Sequence, residues 1–170
     1  MRRLFALLLL TSACGGTAEP VVTCPATCAG ETICVSGTCK DAFPAKYSIV
    51  VNASLAPKAP GGDCWDDPFC GDPDLLVTVS FDGRVVGMTS EQGGTFTHDF
   101  VDEPIVATLT KGGQLQLIAY DVDLDTNDVA ATCTASVTLD LIKGGVIRCS
   151  AASGQSTVGA TIEREIPVAM

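Results

Sequence analysis

From Lys46 onward, apolar side chains recur at every second position, and no segment sustains a helical spacing. Tyr47, Ile49, Val51 and Ala53 alternate with more polar neighbours, as do Leu75, Val77, Val79 and Phe81. A period of two marks a strand with one face against a core. The same reading predicts strands over Arg84–Met88, Thr95–Phe100, Ile105–Thr110, Gln114–Tyr120, Cys133–Leu141, Gly145–Cys149 and Gln155–Arg164. Asp82-Gly83, Gly93-Gly94, Lys111-Gly112-Gly113 and Lys143-Gly144-Gly145 punctuate them as turns. Eight or nine short strands in roughly 120 residues predict an all-β fold, an antiparallel sandwich or barrel.

The N-terminal segment reads as an address. Arg2 and Arg3 form a basic region, Leu4 to Leu10 an apolar core, and Thr11-Ser12-Ala13-Cys14 a small-residue cleavage site. The apolar run is too short for a permanent membrane span. A cysteine directly after Ser-Ala resembles the lipobox of bacterial lipoproteins, although the leucine usual at position 11 stands at Leu10. The resemblance implies a signal peptide over residues 1–13 and a lipid anchor on Cys14. With Gly15 rather than Asp next, it also implies sorting to the outer membrane of a bacterial cell envelope. Residues 14–23 read as a tether.

The cysteine count agrees with export. Nine cysteines less Cys14 leave eight, an even number suited to an oxidising compartment. They group as Cys24, Cys28, Cys34 and Cys39; Cys64 and Cys70; Cys133 and Cys149. Pairing within groups leaves three of ~105 connectivities. The segment 24–40 is too small for a hydrophobic core, so two disulfides are expected to hold it as a spacer ahead of the sandwich. Zinc is the alternative use of four such cysteines, and export favours disulfides. Without the signal, 8 basic face 20 acidic residues. Such an acidic chain is a poor partner for nucleic acid.

The acid is concentrated. Asp121-Val-Asp-Leu-Asp-Thr-Asn-Asp128 follows a predicted strand, and Asp63-Cys-Trp-Asp-Asp-Pro-Phe-Cys-Gly-Asp-Pro-Asp74 lies upstream. No Lys or Arg lies between Lys58 and Arg84, or between Lys111 and Lys143. Clustered carboxylates repel unless they face water or share a cation, and calcium takes six to eight oxygen ligands. An EF-hand is excluded. Thr126 stands where its loop needs Gly, Thr132 where it needs a bidentate Glu, and the flanks are strands.

Two segments carry a resemblance to the C2 domain. Pro73-Asp-Leu-Leu-Val-Thr-Val-Ser-Phe-Asp-Gly83 matches the family's aspartate at a strand entry, with Leu75-Leu76 in place of Pro-Tyr. Ala119-Tyr-Asp-Val-Asp-Leu-Asp-Thr-Asn-Asp-Val129 matches its strand running into an Asp-x-Asp loop. The resemblance spans about Lys46 to Pro167 and implies an eight-stranded antiparallel β-sandwich over residues 45–168, preceded by the small disulfide-rich segment. It implies calcium held by Asp74, by Asp66 or Asp67 (both retained as candidates), and by Asp121, Asp123 and Asp128, with docking on phospholipid or another anionic surface as the outcome. Trp65, Phe69 and Leu124 flank these aspartates and are the candidate membrane contacts, Trp being favoured at a bilayer interface. Packing beneath the loop is the other reading for Trp65 and Phe69. A calcium-independent interaction module for a protein or glycan is the competing function.

Enzymatic chemistry is not expected. His98, the sole histidine, lies beside Asp99 on a predicted strand, and no Gly-x-Ser-x-Gly elbow or phosphate loop occurs. Phe100-Val-Asp-Glu-Pro104 is acidic where polybasic lipid recognition would need lysines.

Overall fold

The computed structural model describes residues 27–57, 65, 71–123, 127–151 and 155–166. A disulfide-bridged hairpin, β1 (Thr32–Val35) and β2 (Thr38–Asp41), comes first. The sandwich follows as β3 (Ala45–Ser54), β4 (Leu75–Phe81), β5 (Arg84–Met88), β6 (Thr97–Asp99), β7 (Ile105–Leu109), β8 (Gln114–Asp121), β9 (Asp128–Ser136), β10 (Val146–Ser150) and β11 (Thr157–Arg164), with helix α1 (Leu139–Gly144) before β10.

One sheet runs β10-β11-β3, and both β6 and β7 pair with the far edge of β3. β6 takes Asn52–Ser54 and β7 takes Ala45–Ile49, while the Phe100 N–H donates to the Val51 carbonyl between them at 3.0 Å. β6 and β7 are thus two halves of one interrupted edge strand. The second sheet runs β5-β4-β8-β9. Each sheet is four positions wide and antiparallel throughout, which settles the sandwich over the barrel and agrees with the eight strands implied by the C2 resemblance.

The alternation places Tyr47, Ile49 and Val51 of β3 opposite Val77 and Val79 of β4 and Leu115 and Leu117 of β8, all fully buried in one core. Burial of this apolar area is the main stabilising term. Cys133 of β9 and Cys149 of β10 form a disulfide that clasps neighbouring edges of the two sheets. Cys28 and Cys39 are also bonded, and Cys34 is in a disulfide. Cys24, Cys64 and Cys70 lie outside the described residues, as does Cys14.

Two sequence expectations change. The strand expected over Cys133–Leu141 starts earlier, at Asp128, and stops at Ser136. Leu139 and Leu141 belong to α1 instead. Thr138 caps it by accepting the Leu141 N–H at 3.1 Å, and Gly145 closes it in the left-handed region at φ 66°. The hairpin, expected as a spacer, is seated on the sandwich. Val35 and Ala42 are buried, Ile33 and Phe43 pack against the core, and Lys111 pairs with Glu31.

Tyr47 secures this seating. Its hydroxyl donates to the Ala42 carbonyl at 2.7 Å, and burial raises its pKa above the ordinary value, with Arg164 opposing. A raised folded pKa means that this group's stability is complete below about pH 10 and is lost as pH rises through the higher folded value. Tyr47→Phe leaves the Ala42 carbonyl without this donor and should cost about 1–2 kcal/mol near neutral pH. Urea midpoints measured across pH 9–12 should converge for the two proteins as the wild type loses this contribution.

Candidate functional site

The strand register decides which acidic residues meet. Leu75 pairs with Asp121, and Asp121 pairs with Asp128, so the start of β4, the end of β8 and the start of β9 share one end of the second sheet. Asp74 therefore adjoins Asp121. The Asp74 N–H donates to Asp121 Oδ1 at 2.8 Å, and the Val122 N–H donates to the Asp74 carbonyl at 2.8 Å. Asp121 is fully buried, Asp123 is half-buried and Asp128 is exposed.

Asp74 also reaches a segment read from sequence only as a turn. Its Oδ1 accepts the Gly94 N–H at 2.7 Å, and Leu75 and Gln92 exchange backbone hydrogen bonds at 2.9 Å. A Cβ on Gly93 would stand 3.2 Å from the same Asp74 oxygen. The Gly-Gly pair is thus a third wall of the site. No local sequence signal announces it, because the contact spans twenty residues.

Basic side chains are sparse around this end. Among the described residues, the connections at this end (55–57, 71–74, 89–96, 122–123, 151 and 155–156) contain no Lys or Arg. Lys46, Arg84, Lys111, Lys143 and Arg164 belong to the opposite end, while Arg148 of β10 donates to the Thr157 hydroxyl at 3.5 Å. Glu103 is engaged elsewhere. Ser90 donates to it through both hydroxyl and backbone N–H at 2.6 Å, and these bonds hold its carboxyl below the usual value.

An all-oxygen donor set on connections with no Lys or Arg among the described residues suits a hard cation, so the chemistry of the aspartates fits calcium. The geometry is that of an incomplete cradle: among the described residues, no three His, Cys, Asp or Glu side chains stand close enough together to hold an ion. Asp74, Asp121, Asp123 and Asp128 are brought to one end, while Asp66 and Asp67 lie outside the described residues.

Trp65 requires a correction as a membrane contact. It is 8% exposed, belongs to the hydrophobic core, and its indole N–H donates to the Ala56 carbonyl at 2.9 Å. A large apolar ring with a satisfied N–H is more stable in the core than in water. Phe69 and Leu124 lie outside the described residues. His98 packs edge-to-face on Phe100 at 4.6 Å between ring centroids.

No protein-family model matches the chain, and no curated protein matches it. Solved structures do. A structure of a C2 domain superposes with a TM-score of 0.53 at 16% identity, covering 71% of this chain and 98% of that one. A calcium-bound pair of C2 domains from Extended-Synaptotagmin 2 superposes with a TM-score of 0.55 at 13% identity, covering 71% of this chain and 45% of that one. Human GIVD cytosolic phospholipase A2 superposes with a TM-score of 0.50 at 17% identity, covering 71% of this chain but only 17% of the enzyme. The likeness spans nearly all of a single C2 domain and only a part of the larger proteins. The sandwich of this chain has the C2-domain fold.

Proposed function

We propose that this is an exported, lipid-anchored protein of a bacterial cell envelope, attached through Cys14, whose C2-like domain is a calcium-dependent, non-catalytic docking module. Asp66, Asp67, Asp74, Asp121, Asp123 and Asp128 would hold the ion. The observation that carries this reading is the buried Asp121, set against Asp74 at the junction of β4, β8 and β9, where the described connections contain no Lys or Arg. Calcium would draw the three loops together and present open coordination to an anionic surface, with phospholipid headgroups as the first candidate. With Trp65 in the core, docking would rest on the ion and the loop backbone rather than on insertion of that ring.

A calorimetric calcium titration of the full chain tests this. Saturable binding is expected, and it should be lost in an Asp121→Asn, Asp123→Asn double variant. An asparagine in place of Asp121 keeps the acceptor for the Asp74 N–H while removing the charge, so folding is preserved. An Asp123→Asn, Asp128→Asn variant, which leaves the buried position alone, should weaken binding at least tenfold. No heat and no calcium-dependent rise in melting temperature in the wild type would sink the reading. Calcium-dependent sedimentation with phosphatidylserine vesicles then tests docking.

One observation favours a second reading. Asp74 already ties Gly94 in place and Asp121 already ties Asp74, so these aspartates can knit the loops without an ion. In that case the sandwich is a calcium-independent module for a protein or glycan, and partner capture is insensitive to chelator.

A further inference from the structure

The basic end of the molecule holds two adjoining cavities, formed where the disulfide hairpin meets the sandwich. The larger, of about 640 Å³, has aliphatic walls from Ile33 of β1, Ile142 of α1, Ile162 of β11 and Ile166 beyond it. The smaller, of about 470 Å³, is lined by Lys40, Lys46, Arg164 and Glu165 over Val35 and Ala45. Val35 and Arg164 line both, so the two are neighbours across a shared wall. The Arg164 guanidinium donates to the Asp41 carbonyl, which fixes it at this junction. Lys143 and Glu163 stand at the larger cavity.

The charge balance here is opposite to that of the chain. Lys40, Lys46, Lys143 and Arg164 face Glu163 and Glu165 across the two cavities, a local excess of cations on a protein whose net charge is −10. Three of those cations share the smaller cavity, and the apolar walls belong mainly to the larger. Cavities of a few hundred Å³ with apolar walls and a few convergent polar groups are of ligand-binding size. The wall contributed by the hairpin is stiffened by the Cys28–Cys39 bridge and the bonded Cys34, so the site is formed before a ligand arrives.

We propose that this bipartite cavity binds a single-chain anionic amphiphile, with the acidic head among Lys40, Lys46 and Arg164 and the aliphatic tail along Ile33, Ile142, Ile162 and Ile166. Neither half accounts for the arrangement alone: a bare anion leaves the isoleucine walls unused, and a neutral alkane leaves the excess of cations without a counter-charge. The site lies at the far end from the aspartates and stands independently of calcium binding.

The probe is decyl phosphate, titrated into the full chain below its micelle concentration and followed by calorimetry, with inorganic phosphate, decanoate and decanol as comparisons. Decyl phosphate and decanoate should both bind, each at least tenfold more tightly than inorganic phosphate or decanol. A Lys40→Glu, Lys46→Glu variant changes two exposed side chains and should weaken both anionic probes at least tenfold while leaving decanol unchanged. Ile166→Asp, at a position 57% exposed, should weaken all three alkyl probes. The proposal is overturned if neither anionic amphiphile binds, if inorganic phosphate binds as tightly as decyl phosphate, or if both variants bind as the wild type does.

Discussion

Replacing Cys133 and Cys149 together with alanine should lower the stability of the sandwich by about 3 kcal/mol, the value expected for releasing a loop of ~15 residues. The two cysteines are 16 residues apart, and their bond joins β9 of one sheet to β10 of the other. Within each sheet, strands are held by ladders of backbone hydrogen bonds. Between the sheets, the described union otherwise rests mainly on side-chain packing, with hydrogen bonds such as those from Ser90 to Glu103 at the edge. Cys133 is fully buried, so the variant also loses its packing against the core. For a domain of this size, about 3 kcal/mol corresponds to a fall in melting temperature of roughly 10 °C. Thermal melts of the oxidised wild type and the double variant measure it, and equal melting temperatures would show that the clasp adds nothing to the packed sheets.

Gly159→Val should be comparably damaging, at about 3 kcal/mol, through overpacking. Gly159 lies in β11 between Asn52 of β3 and Arg148 of β10. A Cβ there would stand 2.7 Å from the Ile147 carbonyl oxygen and 3.3 Å from Asn52 Oδ1. The nearer atom is backbone, so relief requires β10 to move from β11, which breaks their ladder. Gly159→Ala should already cost about 1–2 kcal/mol for the same reason. Gly144 is the contrasting position: it ends α1, has open space around its Cα, and should gain about 0.5–1 kcal/mol on substitution by alanine. Urea unfolding of the three variants gives the signs. A Gly159→Val protein as stable as the wild type would mean that the β10–β11 spacing is looser than described.

How much of this is legible in the sequence depends on the range of the forces involved. The strands are, because half-burial imprints a period of two on each segment without reference to any other. The Asp82-Gly83 turn is as well: Asp82 at φ 49° and Gly83 at φ 74° need residues that tolerate the left-handed region. Helix α1 is not. Val137, Leu139 and Leu141 alternate as a strand would, and six residues are too few to display a helical period. Its signals are the capping Thr138 and the closing Gly145. Asp74, Asp121 and Asp128 are singled out by a family resemblance, and the β4–β8–β9 register puts them at one end. The bond from Asp74 to Gly94 and the grouping of Lys40, Lys46 and Arg164 are invisible, since each joins residues that only the tertiary fold makes neighbours. Trp65 falls between these cases. Its flanking aspartates suggest exposure, while its size and apolarity favour the core, and burial prevails.

The seating of the hairpin gives the molecule a direction. Thr27 and Cys28 lie beside Lys143 and Arg164, whereas Asp74 and Asp121 lie at the far ends of strands about eight residues long, some ~26 Å away. With the anchor proposed at Cys14, the first described residues stand on the anchored side with the basic cluster, and the aspartates stand at the other end. In that arrangement the aspartates face away from the anchored side, which suits a domain that reaches a second body rather than one that lies flat on the first.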